Sequence, residues 1–134
     1  MKKIYLASFL QPENFGPGRV IAIINTNGGK PKTAVAGVFE PFTPSIDLIE
    51  TYNKQRSQDG ATASQMFVSK YQEQLETFYN DVKQEAQTSG QEISEILPFE
   101  DGDTLASWER AEMTNFRKLL APVLEKMGFE VVLK

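Results

Sequence analysis

Short apolar runs alternate with longer amphipathic segments along this chain. Several runs are nearly continuous in apolar or β-branched residues, which is typical of strands buried on both faces of a sheet. The predicted strands are Ile4–Leu10, Val20–Ile24, Ile93–Phe99 and Phe129–Leu133, with a short edge strand within Thr33–Phe39.

The segments between these runs carry helix signals. Thr43 is a suitable N-cap and Pro44 suits the first helical position, so a helix is predicted from there to about Arg56. After a break at Asp59-Gly60, Thr62 begins a Thr-x-x-Gln spacing that is typical of a capping box. A longer helix is therefore predicted to follow this break.

This longer helix is the clearest element of the sequence. Its apolar residues recur at steps of three and four, which defines one face of a helix: Phe67, Tyr71, Leu75, Phe78 and Val82, with Gly90 ending the helix. Another long helix is predicted to start near Thr104 or Ser107 and to end at Gly128. Pro122 lies inside it and is expected to kink or loosen the helix near Lys118.

The order of these elements indicates an α/β fold. Strand-like runs joined by helices favour parallel pairing through right-handed crossovers. The chain has 134 residues, a usual size for one domain, and contains no repeat or linker. We therefore expect residues 1–134 to form a single Rossmann-like three-layer domain with a mostly parallel sheet.

The amino-acid composition excludes several classes of reaction and of binding site. The chain contains no cysteine and no histidine, which excludes disulfides, thiol nucleophiles, Ser-His-Asp triads and the common zinc sites. The net charge of −4 argues against a nucleic-acid partner held by a basic footprint. The apolar stretch Ile4–Leu10 is too short for a signal sequence or a membrane span, so a cytoplasmic protein without a membrane partner is expected.

The chain also resembles a known family across nearly its whole length. The matching stretches are KKIYLASF, FEPFTPSIDLIETYNK, YQEQLETF, EILPFE and NFRKLLAPVLEKMGFEVV. They are similar to the Rossmann-like family known as domain of unknown function family 488. That family carries a Cys-His-Arg run, which reads Asn115-Phe116-Arg117 here, and Pro98 stands where the family has another cysteine. The resemblance therefore implies that this chain retains Arg117 and the acidic Glu100 but lacks the Cys-His pair. The opening strand is also similar to that of nucleoside deoxyribosyltransferase-like proteins, which bind nucleotides near its end.

Candidate binding residues follow from the strand ends. In open parallel sheets, ligands bind outside the carboxyl ends of the strands, which points to Ser8, Asn25–Asn27 and Phe99–Glu100. Each of these residues has a plainer interpretation as the end of a strand or part of a solvated loop. The acidic turn at Glu100–Asp103 lacks the spacing of an EF-hand, so no metal site is predicted.

Basic residues supply the second group of candidates. Arg19 follows a Gly-Pro-Gly turn whose amides could hold an anion, although the spacing is not that of a P-loop. Arg110 and Arg117 are seven residues apart on one helix face, a spacing suited to a phosphate or carboxylate, and Trp108 lies nearby. The alternative is that these arginines form surface ion pairs and that Trp108 packs in the core or at its rim.

Three functional hypotheses remain open from the sequence. The first is a domain that binds a nucleotide or another phosphorylated anion without Cys-His chemistry, with no particular cofactor indicated. The second is a protein-interaction module, which predicts a large exposed apolar patch. The third is an enzyme that uses Glu100 as a general acid or base on a nucleotide or sugar phosphate.

Overall fold

A five-stranded, all-parallel sheet organises the chain in the computed structural model. The structure describes residues 1–9, 11–23, 35–107 and 116–133. The strands are β1 (Lys3–Ser8), β2 (Val20–Ala22), β3 (Gly37–Val38), β4 (Thr104–Ser107) and β5 (Glu130–Leu133), in the spatial order β3-β2-β4-β1-β5. The predicted α/β fold with a parallel sheet is confirmed.

In the described ranges, four α-helices lie between these strands. They are α1 (Ile46–Arg56), α2 (Gly60–Ser89), α3 (Ile93–Ile96) and α4 (Phe116–Lys126), and short 3-10 helices occur at Pro12–Asn14 and Glu40–Phe42. The predicted ends of the long helices are confirmed, since Gly90 and Gly128 follow α2 and α4 with φ of 72° and 97°. This left-handed backbone favours glycine, which has no Cβ to clash. Among the described helices, none is long and apolar enough to cross a membrane.

One face of the sheet, called here the helix face, packs against α2 and α4. Side chains alternate along a strand, so Ile4 and Leu6 of β1 point to the same side as Leu105 of β4. These residues share one buried cluster with the helical residues Tyr52, Phe67, Tyr71, Leu75, Leu120 and Leu124. The predicted apolar stripe of α2 is therefore core, in agreement with its spacing.

The opposite face of the sheet is covered by the connection from β1 to β2. Phe15 of this connection packs on Phe9, Ala22 and Ala106, and the Phe9 and Phe15 rings meet edge to face at 6.0 Å. The connection lies so close that a Cβ on Gly16 would collide with the Tyr5 ring. Helices, sheet and this connection make the three layers of the α/β domain.

The position of the fourth strand differs from the sequence prediction. Residues 93–99 were predicted as a strand, but Ile93–Ile96 forms α3, which begins with a reciprocal capping box between Glu92 and Glu95. The strand is Thr104–Ser107 instead, in the segment where a helix was predicted to begin. Thr104–Ser107 has only four residues, most of them with small side chains, so its apolar pattern did not identify it as a strand. It forms a strand because it pairs with β1 on one side and β2 on the other.

Two helix starts are also corrected. Ser45, not Thr43, caps α1, because its side chain accepts from the Leu48 N–H at 3.2 Å. Asp59, not Thr62, caps α2. Pro122 lies inside α4 as predicted, and the helix continues past it to Lys126.

Candidate functional site at the carboxyl edge of the sheet

The two central strands both end on a serine. Ser8 ends β1 and Ser107 ends β4, and the parallel register places these residues side by side. Each lies two positions after a leucine of the helix face, so both side chains point to that face. Their exposed fractions are only 4% for Ser8 and 0% for Ser107. Two neighbouring hydroxyls are therefore buried where β1 and β4 end.

Arg117 brings a positive charge to the same place. It lies in the first turn of α4, and only 9% of its surface is exposed. Its Nη1 donates to the carbonyl oxygen of Leu6 at 3.5 Å, two residues before Ser8. This bond places a buried positive charge beside β1.

Ser107 has a buried hydroxyl that lacks a hydrogen-bond partner within the described part of the chain. Leaving such a group unpaired costs about 1 to 3 kcal/mol. Buried polar atoms that lack a protein partner deserve an explanation, and one explanation is a ligand that supplies the partner.

The direction of α4 adds to the positive character of this edge. Because α4 follows β4 in a parallel sheet, its N-terminal end lies toward the carboxyl edge, and the first described turn of the helix contains Arg117. The N-terminal end of a helix carries a partial positive charge, which favours an anion. We call Ser8, Ser107, Arg117 and the first turn of α4 the carboxyl-edge site.

Two other predicted site residues lie at the opposite ends of the strands, called here the amino edge. Arg19 precedes β2, and Glu100 precedes β4, so both lie at the amino ends of these strands. Arg19 Nη2 donates to Asp103 Oδ2 at 2.7 Å, and its Nε lies 3.9 Å from Glu100 Oε2. The Arg19 guanidinium is thus engaged by the protein itself, and the expected position of Glu100 after a strand is corrected.

Asp103 is the centre of this amino-edge cluster, with only 1% of its surface exposed. Burial alone would raise its pKa, but hydrogen bonds from the Arg19 side chain and from the backbone N–H groups of Glu100 and Arg19 outweigh burial and lower the pKa below the ordinary value. The same bond to Asp103 raises the pKa of Arg19. The cluster ties the β1–β2 connection to the turn before β4.

The other carboxylates of the predicted acidic turn either accept a hydrogen bond from the protein or are exposed to solvent. Asp101 accepts the N–H of Lys3 at 2.6 Å, while the Glu100 side chain is 75% exposed. Glu100 therefore lacks the burial on which the hypothesis of a carboxylate enzyme depended. Within the described ranges, no three carboxylates are grouped in a way that could hold a metal ion.

Of the predicted site residues, the structure brings Ser8 and Arg117 together and separates them from Arg19 and Glu100. Trp108 and Arg110 lie outside the described residues, as do Asn25–Asn27 and Asn115. Ser107 was not predicted, because its segment was taken as the start of a helix. The signal that could have found it is the Leu-x-Ser pattern that Leu105-Ala106-Ser107 shares with Leu6-Ala7-Ser8.

Comparison of the chain with protein-family models, with curated proteins and with solved structures gave no match.

Proposed function

We propose that this protein binds a small phosphorylated or otherwise anionic molecule at the carboxyl-edge site. The observation that carries the proposal is the buried Ser107 hydroxyl, which lacks a partner among the described residues and lies beside Ser8 in the sheet. Arg117, buried to about nine tenths, lies at the same edge. This edge is also where open parallel sheets bind ligands.

Each part of the site suits an oxyanion. A guanidinium presents parallel N–H donors that match a phosphate or carboxylate in a bidentate manner. The Ser107 hydroxyl is a neutral donor that can rotate toward an oxygen atom. An anion here would also interact favourably with the start of α4.

The proposal extends to binding and not to a reaction. The Cys-His pair of the family that the sequence resembles has no counterpart in this chain, which contains neither residue type. The membership itself stays a prediction, and Arg117 is the residue that it shares with the carboxyl-edge site. A retained arginine without the pair is what we expect of a binding domain.

A thermal-shift titration tests the proposal with orthophosphate, a nucleoside 5′-monophosphate and a sugar phosphate as probes. A ligand at 100 times its dissociation constant stabilises the folded state by about 2.7 kcal/mol, a shift of several degrees. We expect at least one probe to stabilise the wild-type protein, and Ser107→Ala and Arg117→Lys to weaken that effect by about tenfold or more.

Arg19→Lys is the matched control, because it changes an arginine in the same way at the amino edge. It should alter the melting temperature without altering the ligand-induced shift. The proposal fails if no probe stabilises the protein at millimolar concentration, or if Ser107→Ala and Arg117→Lys bind as well as the wild type.

A further inference from the structure

The Ser107 hydroxyl has different neighbours on its two sides along the sheet. The register of β4 with β1 places Ser107 beside Ser8. On the other side, Ala106 pairs with Ala22 of β2, and the Ile23 N–H donates to the Ala106 carbonyl at 3.0 Å. Ser107 therefore lies between a serine and an isoleucine.

Ile23 closes the β2 side of the hydroxyl. Its side chain is fully buried and belongs to the same apolar cluster as Leu105 on the helix face. An oxyanion placed against such a side chain loses its hydration and gains no polar partner there, which is unfavourable. The polar approach to Ser107 is therefore from the β1 side.

Arg117 lies on this β1 side. Its Nη1 donates to the carbonyl oxygen of Leu6, a residue of β1, at 3.5 Å. An anionic group that interacts with both the Arg117 guanidinium and the Ser107 hydroxyl therefore lies over the end of β1, with Ile23 on its far side.

Burial limits the size of the group that can reach this position. The exposed fractions are 0% for Ser107, 4% for Ser8 and 9% for Arg117. Most of a ligand must therefore lie outside this spot, and only the end of the ligand reaches these side chains.

A phosphate monoester meets this requirement better than a diester. The terminal phosphate of a monoester presents three acceptor oxygens, and its single substituent leads away from them. In a diester, one of these three oxygens carries a second substituent, which accepts hydrogen bonds less well and needs space. Ile23 occupies the space beside Ser107 that a second substituent requires.

We propose that the carboxyl-edge site takes the terminal phosphate of a monoester and rejects phosphodiesters, with Ile23 limiting the space beside Ser107. The inference rests on the proposed anion binding and names the chemical class of the ligand within it.

A matched pair of nucleotides tests this selectivity. A nucleoside 5′-monophosphate and the 3′,5′-cyclic monophosphate of the same nucleoside are titrated in thermal-shift experiments, with orthophosphate as a reference. We expect the monoester to bind at least about tenfold more tightly than the cyclic diester, the smallest effect that a badly fitting group usually has in a specificity pocket.

The charge of the two nucleotides is controlled by pH. A phosphate monoester has a second pKa of about 6, so at about pH 5 it carries mainly one negative charge, as the diester does. We expect the preference for the monoester to persist at this pH, because it depends on shape.

Ile23→Val removes one methyl group beside Ser107 and should reduce the preference for the monoester by roughly tenfold. Ile4→Val is the matched control, because Ile4 is also fully buried in the cluster of the helix face but lies near the start of β1. It should leave the preference unchanged. Equal effects of the two substitutions would overturn the role of Ile23.

The outcomes separate this inference from the proposed function. The inference is overturned, and anion binding stands, if the cyclic nucleotide binds as tightly as the monoester, if the preference disappears at the lower pH, or if orthophosphate binds and the monoester does not. Failure of orthophosphate and of every ester to stabilise the protein would overturn both.

Discussion

Replacing Asp103 with asparagine should destabilise the fold more than other single-charge changes at the sheet edges. The carboxylate accepts from the Arg19 backbone N–H at 3.1 Å and from Arg19 Nη2 at 2.7 Å. It also accepts from the Glu100 N–H at 2.9 Å. The Nη2 and Glu100 bonds share Oδ2, so an amide nitrogen at that position would face two donors.

The expected loss can be worked from these bonds. Hydrogen bonds to charged groups contribute about 1.5 to 3 kcal/mol each, and two of them would be lost or replaced by repulsion, so we expect a loss of about 3 kcal/mol. For a domain of this length, 1 kcal/mol corresponds to about 3 to 4 °C, which gives a decrease in melting temperature of about 10 °C.

The pH dependence provides an independent check. The pKa of Asp103 is lowered in the folded state, so its stabilising effect is present above the unfolded-state pKa and is lost as the pH falls through the folded-state pKa. Urea unfolding of the wild type and Asp103→Asn should therefore differ most near neutral pH, and the difference should shrink as the solution is acidified toward the folded-state pKa.

Asp101→Asn is the control for this experiment, because it removes one negative charge two residues away. Asp101 is exposed, and it accepts the Lys3 N–H through Oδ1, which an asparagine oxygen can replace. We expect a change of less than about 1 kcal/mol. The reasoning is refuted if Asp103→Asn and Asp101→Asn cost the same, or if the difference between wild type and Asp103→Asn does not depend on pH.

Three further changes test the packing and the site. Gly16→Ala should lower stability by about 1 to 3 kcal/mol in chemical denaturation, since its Cβ would collide with the Tyr5 ring, and an unchanged midpoint would contradict this. Tyr71→Phe should cost about 1 to 2 kcal/mol, because the buried hydroxyl donates to the Phe42 carbonyl at 2.6 Å; a stabilised variant would argue against that bond. Ser107→Ala should raise the melting temperature slightly, by the equivalent of about 1 kcal/mol, because it removes a buried hydroxyl without a described partner; a large decrease would show that the hydroxyl is bonded.

The order of the elements was predictable from the sequence, and the place of one central strand was not. The long amphipathic spacing identified α2, and runs of apolar or β-branched residues identified β1, β2 and β5 within a few residues. Ile93–Phe99 is more apolar than Thr104–Ser107, so local pattern favoured the wrong segment. Thr104–Ser107 becomes the strand because it pairs with β1, whose residues are about 100 positions away in the sequence. A prediction from neighbouring residues cannot include such a distant partner.

The error in β4 explains the errors in the site. The rule that ligands bind at carboxyl strand ends selected Ser8 correctly as a strand end, but it placed Glu100 after a strand instead of before one. Arg19 and Asp103 are separated by 84 residues, so their ion pair was not visible in the sequence. Ser107 became a site residue only when its strand was located.

The two edges of the central strands differ in how their polar groups are satisfied. At the amino edge, the buried Asp103 has several partners, and its charge is matched by Arg19. At the carboxyl edge, the buried hydroxyl of Ser107 has none within the described residues, and Arg117 donates to the Leu6 carbonyl of the neighbouring strand. Burying an unpaired polar group lowers stability, and this cost is the reason for the proposal that the carboxyl edge binds an anion. Substitutions at the two edges should therefore separate fold stability from ligand binding. Asp103→Asn should reduce stability without changing the ligand-induced shift in melting temperature. Ser107→Ala should reduce that shift without reducing stability.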